Sequence, residues 1–307
     1  MILVTGGLGF IGSHTARALA DLGVPCLATA HRERDVPSFL RDTRVEVTPL
    51  DITDRAAVLA LHDRYPITAI VHLGGALSDP CNELRTSSAA LANVLEAAAS
   101  WGARACIASA IGVYGGVDGA WREDVAIPLG GTPHPIVAMK KTAELYVDLV
   151  AQRGTDAIVM RIGAIYGPRY ARRRSLPTRI AECAARKHPL DLEGVWWGTS
   201  PGDAADWCYV VDCGRAIALL AAAPRLAHRV YNVGSGVLTS NADFADIVRR
   251  HYPDAPLGDY ATGSTAVADG ARPLDIARIA TDTGYVPAYT AEAGLVDYIA
   301  WLAEHPS

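Results

Sequence analysis

The chain has 307 residues, of which 50% are hydrophobic and 20% are charged, the composition of an ordinary globular protein. Its formal net charge of −5 gives no basic field that would attract a phosphate backbone, so we expect no nucleic-acid partner. The longest apolar stretch, residues 216–223, is too short to cross a bilayer, and the opening MILVTGG is too short for a signal peptide, so we expect a cytoplasmic protein without membrane contact.

The first 165 residues alternate short apolar strands with helical segments, the pattern of a doubly wound parallel sheet. The predicted strands are Ile2–Thr5, Pro25–Ala30, Val45–Leu50, Ala69–Leu73, Ala105–Ser109 and Ala157–Ile162. The predicted helices between them are Ile11–Leu22, Arg55–Arg64, Asn82–Ser100 and Ile136–Gln152. Because the strands are nearly all apolar, we expect helices on both faces of the sheet, which is an α/β fold of the Rossmann type.

After Pro168 the pattern changes to a smaller lobe. A basic loop leads into a helix over 176–187 and a stretch rich in glycine and tryptophan; its cations are Arg169, Arg172, Arg173 and Arg174. We expect a strand at Cys208–Val211 and a helix at Cys213–Ala222 to return to the main sheet, with another strand at Tyr231–Val233 and helices at Asn241–His251 and Ala291–Glu304. The expected domains are a dinucleotide-binding domain over 1–168 plus about 205–235, and a mixed C-terminal substrate lobe over about 169–204 plus 236–307.

The side chains that commonly bind metals form no recognisable motif. The six cysteines include no CxxC pair, and the nine histidines include no HExxH. We therefore expect reduced thiols and no metal site.

A glycine pattern at the first strand predicts a dinucleotide site. The segment TGGLGFIG follows a strand and opens a helix. Gly6 allows the tight turn, Gly9 lets the backbone approach a pyrophosphate, and Gly12 allows close packing of the helix. The helix start, at Phe10 and Ile11, presents free N–H groups to the anion. A tight turn without a ligand is the alternative, and the strand–turn–helix context disfavours it.

The end of the second strand predicts which cofactor binds. NAD sites carry an acidic residue there, about 20 residues after the glycines, to bind the ribose 2′-OH. This sequence has Ala30 at that place, followed by His31, Arg32 and Arg34. Cationic donors suit a 2′-phosphate, so we expect NADP(H). The alternative is a set of solvated loop charges that Glu33 partly offsets.

Several motifs together resemble the extended short-chain dehydrogenase/reductase family, the NAD-dependent epimerases and dehydratases. They are TGGLGFIG, DITD at 51–54, HLGGA at 72–76, SAIGVYG at 109–115, RIGAIYGP at 161–168, YNVGSG and RPLD…TGYVP. The resemblance runs nearly end to end and implies a Rossmann fold. It also implies further cofactor contacts at Asp51, Ile52, Leu73, Gly74, Gly75 and Ile162.

The family's catalytic residues are only partly present. The family uses a serine or threonine with a tyrosine and a lysine spaced YxxxK. Lys140 matches the lysine, because Glu144 then falls where the family often has an acid. This alignment puts Ile136 in the tyrosine's place and Ala110 in that of the serine. It implies that Lys140 binds the ribose, and Ser109 becomes the other catalytic candidate.

Three functions remain open. In the first, the protein is an NADPH-dependent ketoreductase of bulky aromatic polyketides whose substrate supplies the proton; the predicted pocket is Ser109, Ala110, Tyr114 and Ile136. In lacking the tyrosine, the chain resembles the ketoreductases that act on angucyclinones, a part of the family linked to antibiotic biosynthesis. The second is a nucleotide-sugar epimerase or dehydratase, in which Arg272 would hold a phosphate. The third is a non-catalytic NADP(H)-binding sensor. In each case we expect a small-molecule ligand and a monomer or homodimer.

Overall fold

The computed structural model describes residues 1–31, 35–74, 80–130, 134–196, 198–262, 266–267 and 270–305. Its strands, in chain order, are β1 Ile2–Thr5, β2 Cys26–Ala30, β3 Val45–Pro49, β4 Ala69–His72, β5 Arg104–Ala110, β6 Ala157–Ile162, β7 Ala164–Tyr166, β8 Ala204–Tyr209, β9 Val230–Val233 and β10 Leu238–Ser240.

Its helices are α1 Phe10–Asp21, α2 Ser38–Arg41, α3 Arg55–Leu59, α4 Pro80–Trp101, α5 Pro135–Ala151, α6 Leu176–Arg186, α7 Val210–Ala222, α8 Asn241–His251, α9 Ala277–Thr283 and α10 Ala291–Glu304. Single 3₁₀ turns cover Ala60–Asp63 and Ile111–Tyr114. Of the helices described, none combines the length and the apolar character needed to span a bilayer.

Seven strands form one parallel sheet in the order β3-β2-β1-β4-β5-β6-β9. The order reverses direction between β1 and β4, which is the switch point where doubly wound sheets bind their ligands, beyond the carboxyl ends of the strands. Helices cover both faces, and the strands other than the edge strand β3 are almost wholly buried because each face packs on helices. The predicted Rossmann fold is confirmed.

A second, three-stranded sheet has the order β10-β8-β7. The expectation that the strand near residue 208 returns to the main sheet is wrong. The strand covers 204–209, with Trp207 opposite Ala164 of β7 and Asp206 opposite Leu238 of β10. Its place beside β6 is taken by β9, whose Val233 lies opposite Ile162.

Two helices of the large-sheet layer touch backbone to backbone. A Cβ atom added at Gly214 of α7 would lie 2.6 Å from the carbonyl carbon of His14 in α1, so only glycine allows this approach. The smaller sheet has a separate core with α6, α8 and α10, in which Tyr166, Trp207 and Phe244 pack edge to face. The smaller sheet thus has a core of its own, separate from the two that flank the large sheet.

Candidate functional site

The glycine-rich loop has the close contacts that its sequence predicts. Gly6 has a φ of +67°, in the left-handed region that favours glycine. A Cβ at Gly12 would overlap the carbonyl oxygen of Gly6, and one at Gly9 would lie 3.1 Å from that oxygen. Sequence analysis missed Gly7, where a Cβ would lie 2.6 Å from the Ala28 Cβ of β2. The glycines therefore let α1 start directly above the ends of β1 and β2.

The start of α1 fits a pyrophosphate. Gly9 is the N-cap and forms no side-chain cap, so the first-turn N–H groups of Phe10, Ile11 and Gly12 have no intrahelical acceptor. Such groups, together with the positive end of the helix dipole, bind anions. A nicotinamide dinucleotide is thus compatible with the residues that are present.

The end of β4 lies against this loop. His72 is buried and shares a hydrogen bond of 2.8 Å between its Nδ1 and the Thr5 hydroxyl. Burial and, to a smaller extent, the positive charge of Lys140 lower the pKa of His72 to about 3, so the ring is neutral. Gly74 faces the loop, since a Cβ at Gly6 would lie 3.8 Å from its nitrogen. Leu73 packs on the core below, and Gly75 lies outside the described residues.

The region beyond β2 and β3 would face the adenosine. Asp51 accepts hydrogen bonds from the backbone and hydroxyl of Thr53, which lower its pKa, and the charge of nearby His31 contributes as well. The carbonyl of Ile52 is held by the Asn93 amide at 2.9 Å. His31 is exposed next to Asp51, whereas the predicted phosphate ligands Arg32 and Arg34 lie outside the described residues. The choice between NADP(H) and NAD stays a prediction.

Helix α5 carries the lysine of the site. Its start is fixed by Pro135 at the first position and by His134, whose Nδ1 accepts the Ile136 N–H at 3.2 Å. The half-buried Lys140 donates from Nζ to the Ala108 carbonyl of β5 at 2.7 Å. Lys141 is buried elsewhere and donates to Pro128. The structure therefore points Lys140 toward the carboxyl end of the sheet, and the catalytic roles that the alignment assigns on α5 stay predictions.

The Ser109 hydroxyl belongs to a buried polar network. It donates to Oε1 of Glu144 at 2.5 Å, and the Glu144 carboxylate forms an ion pair of 2.8 Å with Arg161. The side chains of Arg161 and Glu144 are 5% and 13% exposed, so solvent screens this pair weakly. Ser109 thus acts as a hydrogen-bond donor to a structural carboxylate, and a role in catalysis stays a prediction.

Tyr114 extends the same network. Its side chain is fully buried; the hydroxyl donates to Asn232 Oδ1 at 2.7 Å and accepts from Arg161 Nη1 at 3.0 Å. Burial raises the pKa of Tyr114, so the phenol keeps its proton. The expected place of Tyr114 in the substrate pocket is therefore corrected to a core position. Sequence analysis missed Asn232 and Glu123, whose carboxylate accepts the backbone N–H of Asn232. No local pattern in the sequence indicates contacts between residues so far apart in the chain.

Two predicted pocket residues keep an apolar, partly accessible position. Ala110 ends β5, and Ile136 lies in the first turn of α5; each is partly exposed. Ile162, at the end of β6, is buried. A cleft of about 300 Å³ opens beside Lys140 between α4 and α5, with Met139 and Tyr146 in its wall. Within the described part of the chain, no three histidine, cysteine or acidic side chains are grouped to hold a metal ion.

Comparison with known proteins finds a family over most of the chain. The model of the NAD dependent epimerase/dehydratase family matches residues 2–234. The dTDP-glucose 4,6-dehydratase of Streptomyces griseus is 27% identical over 328 aligned positions, covering 100% of this chain and 95% of the relative. The UDP-glucose 4-epimerase of Bos taurus is 26% identical, covering 76% of this chain and 77% of the relative.

Solved structures are similar over the full length. MoeE5 in complex with UDP-glucose and NAD is 25% identical with a TM-score of 0.78, covering 100% of this chain and 99% of that chain. The dTDP-glucose 4,6-dehydratase of Bacillus anthracis in complex with NAD has a TM-score of 0.81 at 18% identity, covering 99% and 97%. The second likeness supports the fold alone.

Proposed function

Because this chain belongs to the NAD dependent epimerase/dehydratase family, we propose that it is an oxidoreductase that binds NADP(H) and reduces a carbonyl group of a small molecule. The observation that carries the proposal is the pair on α5. Lys140 reaches the carboxyl end of β5, whereas Ile136, one turn earlier on the same face, has no proton to give. The cofactor lysine is retained, and the general acid is absent.

A carbonyl reduction needs a hydride and a proton. A nicotinamide dinucleotide would supply the hydride when bound, and Lys140 would hold its ribose. A positioned general acid lowers the barrier by roughly 3–5 kcal/mol. Without one, this stabilisation of the transition state must come from another group. Ser109 and Tyr114 both hold their hydroxyls in the buried network, so neither is free to replace the tyrosine. The substrate is then the source: a ketone beside a phenol is polarised by an internal hydrogen bond and receives that proton.

The substrate class follows from the partly exposed residues. Ile136 and Ala110 offer methyl groups where a sugar would need hydrogen-bond partners, which favours a flat aromatic ketone of the polyketide type. The relatives named above act on nucleotide-linked sugars, so they support the oxidoreductase family and not this substrate. The named solved structures hold NAD, so the NADP(H) preference depends on Ala30 and the cations after it.

The comparisons favour a second candidate function. Full-length similarity to a dTDP-glucose dehydratase is the reason to retain a nucleotide-sugar epimerase or dehydratase. Arg272 is exposed near the C-terminal lobe, where a phosphate could reach it. Against this function, oxidising an unactivated sugar hydroxyl needs a base, and the position of the usual one is Ile136.

One substrate panel tests the proposal. NADPH consumption is measured with aromatic ketones that carry an adjacent phenol and with their O-methyl ethers. For UDP- and dTDP-linked sugars, whose epimerisation or dehydration consumes no net NADPH, the sugar products are measured by chromatography after incubation with NAD⁺ or NADP⁺. We expect turnover of the phenolic ketones and a loss of about two orders of magnitude on the methyl ethers, since methylation removes the proton donor. Turnover of nucleotide sugars would establish the second function. Tight NADPH binding without turnover of any ketone or nucleotide sugar would mean a non-catalytic cofactor-binding protein.

A double variant provides the control. Ile136→Tyr with Ala110→Ser restores the family's residues. Under a substrate-assisted reaction it should not raise the rate and should obstruct the pocket. A rate gain of about a hundredfold would instead show that the protein lacks a proton donor it needs.

A further inference from the structure

Three successive residues after β7 contact the first turn region of α1. The carbonyl of Pro168 accepts from Nε2 of His14 at 3.3 Å. Arg169 donates from Nη2 to the Leu8 carbonyl at 3.1 Å. The next residue, Tyr170, places its ring 5.0 Å from that of Phe10, measured between centroids. Residues 168–170, which we call the clasp, therefore lie along the glycine-rich loop.

The clasp brings a fixed positive charge to the anion-binding end of α1. Leu8 directly precedes the N-cap Gly9, and the free N–H groups begin at Phe10. A guanidinium stays charged at all physiological pH values and binds phosphate oxygens through two parallel N–H groups. The charge also acts on α1: the pKa of His14 is lowered to about 4, chiefly by burial, with a smaller contribution from the charge of Arg169.

The backbone of the clasp is strained in the way that functional loops often are. Arg169 has a φ of +71°, a left-handed conformation that non-glycine residues rarely adopt. Gly167, two residues earlier, also has a positive φ, of +133°. This conformation turns the Arg169 side chain back over the glycine-rich loop. A conformational cost of this kind persists only where the surrounding contacts fix it.

The other end of the same loop is anchored in the second core. Arg173 donates to Glu182 of α6 at 2.8 Å. The guanidinium of Arg174 lies 4.2 Å from the ring centre of Trp196, and Trp196 in turn contacts His134 at the start of α5. One short loop thus contacts the glycine-rich loop before α1, helix α6 and, through Trp196, the residue that precedes α5.

We propose that Arg169 binds the pyrophosphate of the cofactor. The inference rests on the proposed cofactor but not on the proposed reaction. It makes the dinucleotide site a product of both lobes: the amide groups come from α1, and the neutralising cation comes from the loop that leads into α6.

Ligand fragments test the contact. Dissociation constants are measured for NADPH, NADH, ADP-ribose and adenosine with the wild type, Arg169→Met and Arg169→Lys. We expect Arg169→Met to raise the dissociation constants of the three pyrophosphate-bearing ligands by the same factor, about tenfold, and that of adenosine by less than about twofold. Arg169→Lys should bind ADP-ribose more tightly than Arg169→Met and less tightly than the wild type, because it keeps the charge but loses the second parallel N–H contact. Arg172→Met, an exposed arginine of the same loop, is the matched control.

The outcomes separate the possibilities. If adenosine and ADP-ribose weaken equally, Arg169 only shapes the loop and the inference fails. The inference also fails if ADP-ribose binding is unchanged. If Arg169→Met does not fold, Arg169→Gln takes its place: the wild type's affinity for ADP-ribose must fall more steeply with salt than that of Arg169→Gln, which carries no charge, and equal slopes would overturn the contact. A wild type that binds no dinucleotide would overturn the proposed cofactor itself, a result distinct from failure of the Arg169 effect.

Discussion

Ser109 donates a hydrogen bond of 2.5 Å to the carboxylate of Glu144, the same carboxylate that pairs with the buried guanidinium of Arg161. The serine hydroxyl thereby satisfies an acceptor that would otherwise be poorly solvated. Ser109, which precedes the position of the family's catalytic serine, thus stabilises a buried ion pair.

Substitution of Ser109 should affect stability more than rate. We expect Ser109→Ala to lower the free energy of unfolding by about 1–2 kcal/mol, since it leaves a charged acceptor short of one partner, and to leave kcat within about threefold. Glu144→Ala should cost about 3–5 kcal/mol, because Arg161 then stays buried without its partner. Urea unfolding and steady-state rates measure both. A hundredfold fall in kcat for Ser109→Ala, at unchanged stability, would establish Ser109 as catalytic.

Two adjacent lysines on α5 should behave differently. Lys140→Met should weaken cofactor binding and lower kcat together, because Lys140 reaches toward the sheet end where the nicotinamide ribose would bind. Lys141→Met should lower stability by about 1 kcal/mol with little effect on the dissociation constant, since Lys141 bonds to Pro128 instead. If Lys141→Met is the variant that loses cofactor affinity, the alignment of α5 is shifted by one residue.

The end of β2 should determine cofactor choice. We expect NADPH to bind about tenfold or more tightly than NADH, with the gap narrowed by Arg32→Ala. Ala30→Asp should reverse the preference, because a carboxylate there repels the 2′-phosphate and accepts from the 2′-OH. Fluorescence quenching measures each affinity. Equal wild-type affinities for the two cofactors would remove the basis for the 2′-phosphate site.

His14 should make the fold sensitive to acid. Burial lowers its pKa from the ordinary 6.5 to about 4, so the unfolded chain binds more protons than the folded chain between these pH values. Stability is therefore retained above pH 6.5 and falls as the pH drops toward 4. Between pH 7 and 4.5 we expect the wild type to lose about 2–3 kcal/mol more than His14→Gln.

Urea unfolding at the two pH values measures this difference. His188→Gln, at an exposed position, is the matched control and should lose as much stability as the wild type. The same acid sensitivity in His14→Gln would mean that His14 is not the group responsible.

Local patterns in the sequence predict much of this structure. β1 and β6 have the predicted bounds because each is a continuous apolar run between turn residues. Helix α8 also has its predicted bounds, and its start is fixed by a capping box in which Ser240 and Asp243 bond reciprocally. The glycine loop is equally local, since its conformation is determined by residues within one turn.

Features that depend on distant partners could not be predicted in this way. The three-residue strands β7 and β10 exist only because β8 lies between them. The position of Tyr114 is determined by Asn232, more than a hundred residues later in the chain. Ser109 and Tyr114 carry hydroxyls suited to catalysis, but their partners are supplied by the tertiary fold.

The late return of β9 to the large sheet has a consequence for biosynthesis. As the chain leaves the ribosome, β6 completes at Ile162 and the next strand, β7, departs after the single residue Gly163. The edge of the apolar strand β6 that pairs with β9 in the finished fold therefore stays unpaired until residues 230–233 have been translated. Nascent chains stalled between these points present an open template for intermolecular strand pairing, so they should require chaperone protection that the finished protein does not need.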